Sequence, residues 1–245
     1  MRSADAVPPA LRDLIEEQII DEVLFQLRSG KEATVYVAEK RTRGQSVLYA
    51  AKVYRDMHHR SFRRDEVYRE ARVIHDGRTA RAVRKKTRTG RAAAFGMWVG
   101  DEASMLQRVY QAGADVPAVI AVSGPAILME YIGDLDGRAP MLTEVDLSDA
   151  EARVAFDAIM NNVEAFLAAD VVHADLSAFN VLYWEGRPVI IDLPQAVDAL
   201  LNRHARELLA RDIGNICRHF QRQGLNADAA EIASQLWRRY ELRQL

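Results

Sequence analysis

The chain has 245 residues, 49% of them apolar, and 33 Lys and Arg against 35 Asp and Glu, for a formal net charge of −2. That length allows one large domain or one bilobal unit with a substantial core, and the ordinary composition excludes fibrous and disordered classes. A single cysteine, Cys217, excludes a disulfide framework and a Cys-rich zinc site, and with no leader-like N-terminus and no long apolar run the expectation is a cytoplasmic protein without a membrane partner.

Pro8-Pro9 precedes Leu11, Leu14, Ile15 and Ile19 at helical spacing, which predicts an N-terminal helix within residues 1–23. Strand-like runs follow at Ala33–Glu39 and Ser46–Tyr54, joined by a hairpin turn at Arg41-Thr42-Arg43-Gly44. From Arg55 to Arg91 there are 13 Arg and Lys but 5 Asp and Glu. This stretch predicts a flexible basic loop over 55–95, helical at its start. Its segment 77–91 has seven basic residues and no acidic one, and it is either a solvated surface or a patch for phosphate or RNA.

A helix is predicted from Trp98 to Ala112 with Val99, Ala103, Leu106 and Tyr110 inward, stopped by Gly113 and Pro117. Short strands are expected at Ala118–Val122 and Ala126–Tyr131. Ser148 and Glu151 form a capping-box pattern opening a long helix with Phe156, Ile159, Met160, Val163 and Phe166 inward. A hairpin at Asn180–Trp184 and Pro188–Asp192 turns at Glu185-Gly186. After Ala199 the chain reads as helical, with a break near Gly224. Strands with one helix, then mostly helices, make an α+β fold with two unlike halves, 24–130 and 131–245.

Four features carry chemistry. The first is His173-Ala174-Asp175-Leu176-Ser177-Ala178-Phe179-Asn180, between a long helix and a hairpin that ends in Ile191-Asp192. Phosphoryl transfer needs a carboxylate to orient the attacking hydroxyl and oxygen ligands to hold magnesium on the phosphates. Asp175 fits the first task; Asn180 and Asp192 fit the second. His173 fits a structural role, bonding loop backbone. The second feature is Lys52, which strand alternation places on one face with Leu48 and Ala50, where it needs an anionic partner. The third is Glu102, which borders the apolar stripe of its helix and needs a cation; Lys52 is its natural partner. The fourth is Ser29-Gly30-Lys31-Glu32, where a turn over a triphosphate is expected, with Val35 placed to cover a base.

Taken in order, S-G-K-E-A-T-V-Y, A-K-V-Y, W-V-G-D-E, M-E-Y-I-G, H-A-D-L-S-A-F-N and I-D-L-P-Q resemble the motifs of the RIO kinases, over residues 29–195. The resemblance implies a truncated bilobal protein-kinase-like fold filling residues 1–245, its N-lobe an antiparallel sheet plus one helix. It implies ATP with magnesium, manganese being the alternative ion, and serine autophosphorylation or ATP hydrolysis through an aspartyl phosphate at Asp192. By motif, Lys52 and Glu102 form an ion pair, Asp175 is the catalytic carboxylate, and Asn180 and Asp192 hold metal. Ser29, Gly30, Lys31, Glu32, Val35 and Ala50 lie against the nucleotide, and the hinge of Met129, Glu130 and Ile132 binds adenine. The family's winged-helix domain is not expected, since the predicted strands begin near residue 33. Two rivals stand beside this reading: an ATP-driven switch on a ribonucleoprotein particle, engaged through the basic loop, and a small-molecule kinase of the aminoglycoside type. The latter usually carries a second His where Ser177 stands.

Overall fold

The computed structural model describes residues 7–55 and 88–245, so most of the expected basic loop lies outside the described residues. The described chain forms two compact units. One takes residues 7–55, 88–104 and 118–134; the other takes 105–117 and 135–245.

In the first unit, helix α1 (Pro9–Glu16) starts on a proline whose fixed φ suits the first turn. It is shorter than the sequence pattern suggests. Gln18 turns left-handed (φ 57°), and the chain is extended again from Glu22. Strand β1 (Glu22–Ser29) therefore begins well before residue 33. Its pairing with β2 shifts register twice, at Val23/Phe25 and Gln26/Arg28. Such bulges break the two-residue period on which strand recognition relies. β2 (Ala33–Thr42) and β3 (Gln45–Tyr54) pair directly through Arg43-Gly44. Their φ angles of 51° and 82° are those of a two-residue turn that matches strand twist. With β4 (Val119–Ser123) and β5 (Ala126–Glu130) they form an antiparallel sheet in the order β1-β2-β3-β5-β4.

Alternation gives this sheet two apolar faces. Leu11 and Leu14 of α1 pack with Ala38, Ala51 and Leu128 on one. Trp98, Val99 and Ala103 of helix α2 (Arg88–Gln111) pack with Ile127 on the other. α2 starts at Arg88 rather than Trp98, so the last part of the expected loop is helical. Gly90, Gly96 and Gly100 depress helix propensity there and hide the start. Near its other end Val109 is buried and Tyr110 is half exposed, the reverse of the prediction. The buried stripe steps from Leu106 by three residues instead of four.

In the second unit, α3 (Asp149–Ala168) opens with the predicted capping box, the Ser148 N–H donating to Glu151 Oε2 at 2.9 Å. Phe156, Ile159, Val163 and Phe166 face inward as expected. β7 (Val181–Trp184) and β8 (Arg187–Ile190) form the predicted hairpin, followed by α4 (Ala205–Gln221) and α5 (Ala229–Glu241) around a break at Gly224. Before and after that hairpin, β6 (Val171–Val172) pairs with β9 (Val197–Asp198). Two-residue strands carry no readable period. Arg239 of α5 holds Glu164 of α3 through bonds of 2.6 and 2.7 Å. Among the described residues no helix is long and apolar enough to cross a membrane.

Phe220 of α4 is fully buried and meets Phe156 of α3 edge-to-face, with ring centroids 5.5 Å apart. Phe220→Ala leaves a ring-sized cavity between these helices and costs about 3–5 kcal/mol. Denaturant titration will show a lower midpoint with an unchanged slope.

Candidate active site

Residues directly opposite in paired strands share a face. The register places Val35, Lys52 and Ile127 in one row and Val37, Ala50 and Met129 in the next. The predicted nucleotide-facing residues Val35, Ala50, Lys52 and Met129 thus lie on the face that α2 covers in part. There Lys52 Nζ meets Glu102 Oε1 at 2.7 Å, with side chains only 13% and 4% exposed. Tyr54, two residues beyond Lys52 on the same face, donates its hydroxyl to the other Glu102 oxygen. Its ring lies 5.0 Å below the Lys52 ammonium and meets Trp98 edge-to-face at 4.4 Å. Burial raises the Tyr54 hydroxyl far above its usual range, and the Glu102 charge adds to this against Lys52, so it remains a proton donor. The sequence reading missed Tyr54, although its shared parity with Lys52 is a usable signal.

Ser29-Gly30-Lys31-Glu32 is the turn from β1 into β2. Gly30 N–H donates to the Ala33 carbonyl at 2.8 Å, and a Cβ at Gly30 would press that oxygen at 3.3 Å. Arg55 ties the turn to the end of β3. Its N–H donates to Glu32 O at 2.9 Å, and its guanidinium donates to Ser29 Oγ and, at 3.3 Å, to Thr34 Oγ1. Lys31 and Glu32 are exposed. Glu130 closes β5, its N–H donating to Ala118 O at 2.8 Å, and Ile132 follows half-buried.

The second unit holds the other half of the predicted set. His173 is buried and both ring nitrogens bond to backbone. Asp175 N–H donates to Nδ1 at 3.3 Å, so Nε2 carries the proton toward Ile191 O at 3.2 Å. Burial pushes its pKa down and keeps the ring neutral. It braces the loop to the residue before Asp192. Ala174 and Asp192 are left-handed (φ 63° and 69°), a backbone that costs a residue with a side chain about 1–2 kcal/mol.

Three side chains of α4 hold this loop in place. Arg211 donates to the Ala174 carbonyl, Asp212 Oδ2 accepts from Ala174 N–H at 2.7 Å, and Asn215 Nδ2 donates to Leu176 O at 2.9 Å. The sequence reading missed all three. Asp212 was detectable as a carboxylate on the stripe of Leu208, Leu209, Ile216 and Cys217, all buried. It is 2% exposed and borders a small cavity with His173, Val163 and Leu209. Burial pushes its pKa up to about 7 against the Arg211 charge and the Ala174 N–H.

Asn180 Nδ2 donates to the Asp175 carbonyl at 2.9 Å and closes the loop. Its amide oxygen is thereby turned away from that bond. The Asp175 and Asp192 side chains are exposed, while Leu176 and Ala178 are buried. An amide oxygen and carboxylates are hard donors of the kind magnesium takes. The donor set fits that ion.

The RIO domain family matches residues 34–232. The chain belongs to the RIO family. It is 34% identical over 228 residues to the RIO-type serine/threonine-protein kinase Rio1 of Haloferax volcanii, covering 93% of this chain and 73% of that protein. It is 33% identical over 227 residues to the serine/threonine-protein kinase rio1 of Schizosaccharomyces pombe, of which it spans 42%. The Rio2 kinase of Chaetomium thermophilum, solved as an ADP/Mg2+-phosphoaspartate complex, superposes with a TM-score of 0.67 at 18% identity. That match covers 92% of this chain and 64% of the Rio2 chain. The RIO domain here thus has the kinase-like α+β fold expected from its motifs.

The raised pKa of Asp212 has a defined sign. The folded state holds the proton up to about pH 7, whereas the unfolded carboxyl releases it near 3.8. Between those values folding takes up a proton, so stability falls as pH rises through this window and levels off above it. Asp212→Asn has no such proton to lose. Denaturation midpoints from pH 5 to 8 will decline in the native protein relative to the variant, the difference flattening above pH 7.

Proposed function

We propose that this chain is an ATP- and magnesium-dependent phosphotransferase of the RIO type. It moves the γ-phosphoryl group of ATP to a serine hydroxyl, or to Asp192 and from there to water. The observation that carries the reading is the closed Asp175–Asn180 loop, which presents a carboxylate to solvent while its backbone is held from α4. Asp175 orients the acceptor hydroxyl and takes its proton as the O–P bond forms. In the hydrolytic branch an Asp192 oxygen attacks, ADP leaves, and water then cleaves the acyl phosphate. The Rio2 complex with ADP, Mg2+ and phosphoaspartate has the same fold, which supports Asp192 for that role. Asn180 and Asp192 would hold the metal, which supplies charge neutralisation on the phosphates; manganese accepts the same oxygen donors.

Lys52, oriented by Glu102 and Tyr54, serves the phosphates. Gly30 and its turn cover them, Val35, Ala50 and Met129 line the base, and Glu130 and Ile132 offer it backbone groups. On this reading residues 1–245 make one RIO-type kinase domain, with lobes 24–130 and 131–245, working in the cytoplasm. A second reading, contact with a ribosomal or other RNA surface through 77–91, rests on the seven basic residues there without an acidic one.

The two carboxylates separate in titrations. Asp175→Ala keeps Mg-ATP affinity and loses about 10²–10⁴-fold in transfer. Asp192→Ala weakens both magnesium-dependent nucleotide binding and turnover. Isothermal titration beside a labelled-ATP assay checks the pair, and an unchanged Mg-ATP affinity in Asp192→Ala contradicts its role as a metal ligand.

For the RNA reading, replacing Arg84, Lys85 and Lys86 together by Ala lowers the log–log salt slope of RNA binding by about two units. ATP hydrolysis without RNA is unaffected. A filter-binding salt series measures this, and an unchanged slope removes the segment from phosphate contact.

A further inference from the structure

Phe179 is 64% exposed in the catalytic loop, one residue before Asn180. Single exposed apolar residues are common on protein surfaces, but this one projects from a tightly fixed turn. Leu176 and Ala178 are buried on the inner side of the loop. Asn180 N–H donates to Ser177 O at 2.9 Å, making the tight turn Ala178–Asn180, and the Asn180 amide closes the turn onto Asp175. These bonds fix the backbone from which the ring projects. Asp175 and Phe179 are therefore the exposed side chains of a loop whose backbone is clamped on the other side by Arg211, Asp212 and Asn215.

The neighbouring surface narrows what such a ring can meet. The turn Leu142–Glu144 packs against Ala178–Asn180, and its Glu144 is neutralised by Arg138 at 2.8 Å. The turn that carries the ring thus packs beside a polar but charge-balanced turn, and the same loop carries the Asp175 carboxylate. A nucleic acid strand would bring phosphates against that carboxylate at unfavourable Coulomb energy. A polypeptide brings none. Phenylalanine has no hydrogen-bonding group, so its selectivity is for apolar side chains.

We infer that Phe179 is a specificity-determining residue for the phosphoacceptor: it receives an apolar side chain one or two positions from the acceptor serine of a polypeptide substrate. The inference rests on the phosphotransferase reading and adds a substrate class to it. Water as acceptor has no use for the ring, so the ring bears on transfer to protein and not on hydrolysis.

The test uses the full chain and two synthetic serine peptides that differ only in having Leu or Gly at the positions flanking the serine. The native protein prefers the Leu peptide. Phe179→Ala raises KM for it about tenfold, toward the value for the Gly peptide, as expected for loss of one apolar contact region. It leaves kcat, and ATP hydrolysis without peptide, within about twofold. Phe179→Leu restores most of the preference. No peptide preference in the native protein overturns the inference. So does an equal loss of kcat on both peptides and of hydrolysis, which would make the ring a brace for the loop. A preference untouched by Phe179→Ala, with weakened single-stranded RNA binding instead, overturns it in favour of base stacking. ATP hydrolysis with no peptide phosphorylated sinks this inference alone, whereas no ATP turnover of any kind sinks the phosphotransferase reading beneath it.

Discussion

The left-handed backbone at Ala174 is the constraint on which the second unit turns. A residue with a Cβ pays about 1–2 kcal/mol to sit there, and within His173-Ala174-Asp175 only the long Asp175 N–H to His173 Nδ1 bond of 3.3 Å acts against it. The offset comes from α4, which engages both polar groups of Ala174 and the Leu176 carbonyl through Arg211, Asp212 and Asn215. These three lie within about one helical turn, so a single rigid element sets the loop. His173 closes the arrangement from the opposite side by bonding Ile191, next to the second left-handed residue, Asp192. Asp175 and Asp192 thus owe their presentation to His173 and to three side chains of α4. Strained backbone at a candidate site, held by packing elsewhere, is the pattern expected of preorganisation.

The first unit meets a different requirement. Lys52 and Glu102 stand 50 positions apart and pair where water hardly reaches. Desolvating two charges consumes much of what their attraction returns, and a pair of apolar residues would serve stability as well. What the pair supplies is orientation. Tyr54 occupies the second carboxylate oxygen and places its ring under the ammonium, so Glu102 has one geometry available. A lysine held this way would spend little entropy on meeting an anionic ligand.

What could be read from the sequence divides along physical lines. Local chemistry was legible. Arg43-Gly44 and Glu185-Gly186 mark two-residue turns, and Ser148 with Glu151 marks a helix start, because each signal is complete within a few residues. Lys52 and Glu102 were legible by periodicity, one from alternation along a strand and the other from the stripe of a helix. β1 was not, because its bulges erase the alternation. β6 and β9 were not, because two-residue strands exist only through a partner some 25 residues away. The early start of α2 was masked by glycines that its packing against the sheet overrides.

Glu102 and Asp212 present the same sequence signal, a carboxylate on an otherwise apolar helical face, yet only Glu102 was identified from the sequence. The difference lies in the partner. Glu102 is met by a lysine whose own position is anomalous, so each residue points to the other. Asp212 is met by the backbone N–H of Ala174 and, at 3.8 Å, by its chain neighbour Arg211; every residue has a backbone and an adjacent arginine is no anomaly, so nothing announces the pairing. Buried carboxylates that bind main chain are therefore the ones sequence reading loses. They are also suited to holding loops, because a main-chain contact fixes φ and ψ where a side-chain contact fixes only a rotamer. In this molecule the legible carboxylate orients Lys52 and the hidden one holds the loop that carries Asp175. An acidic residue on an apolar helical stripe with no cation from another element to match it is thus a reason to look for an irregular loop packed against that helix.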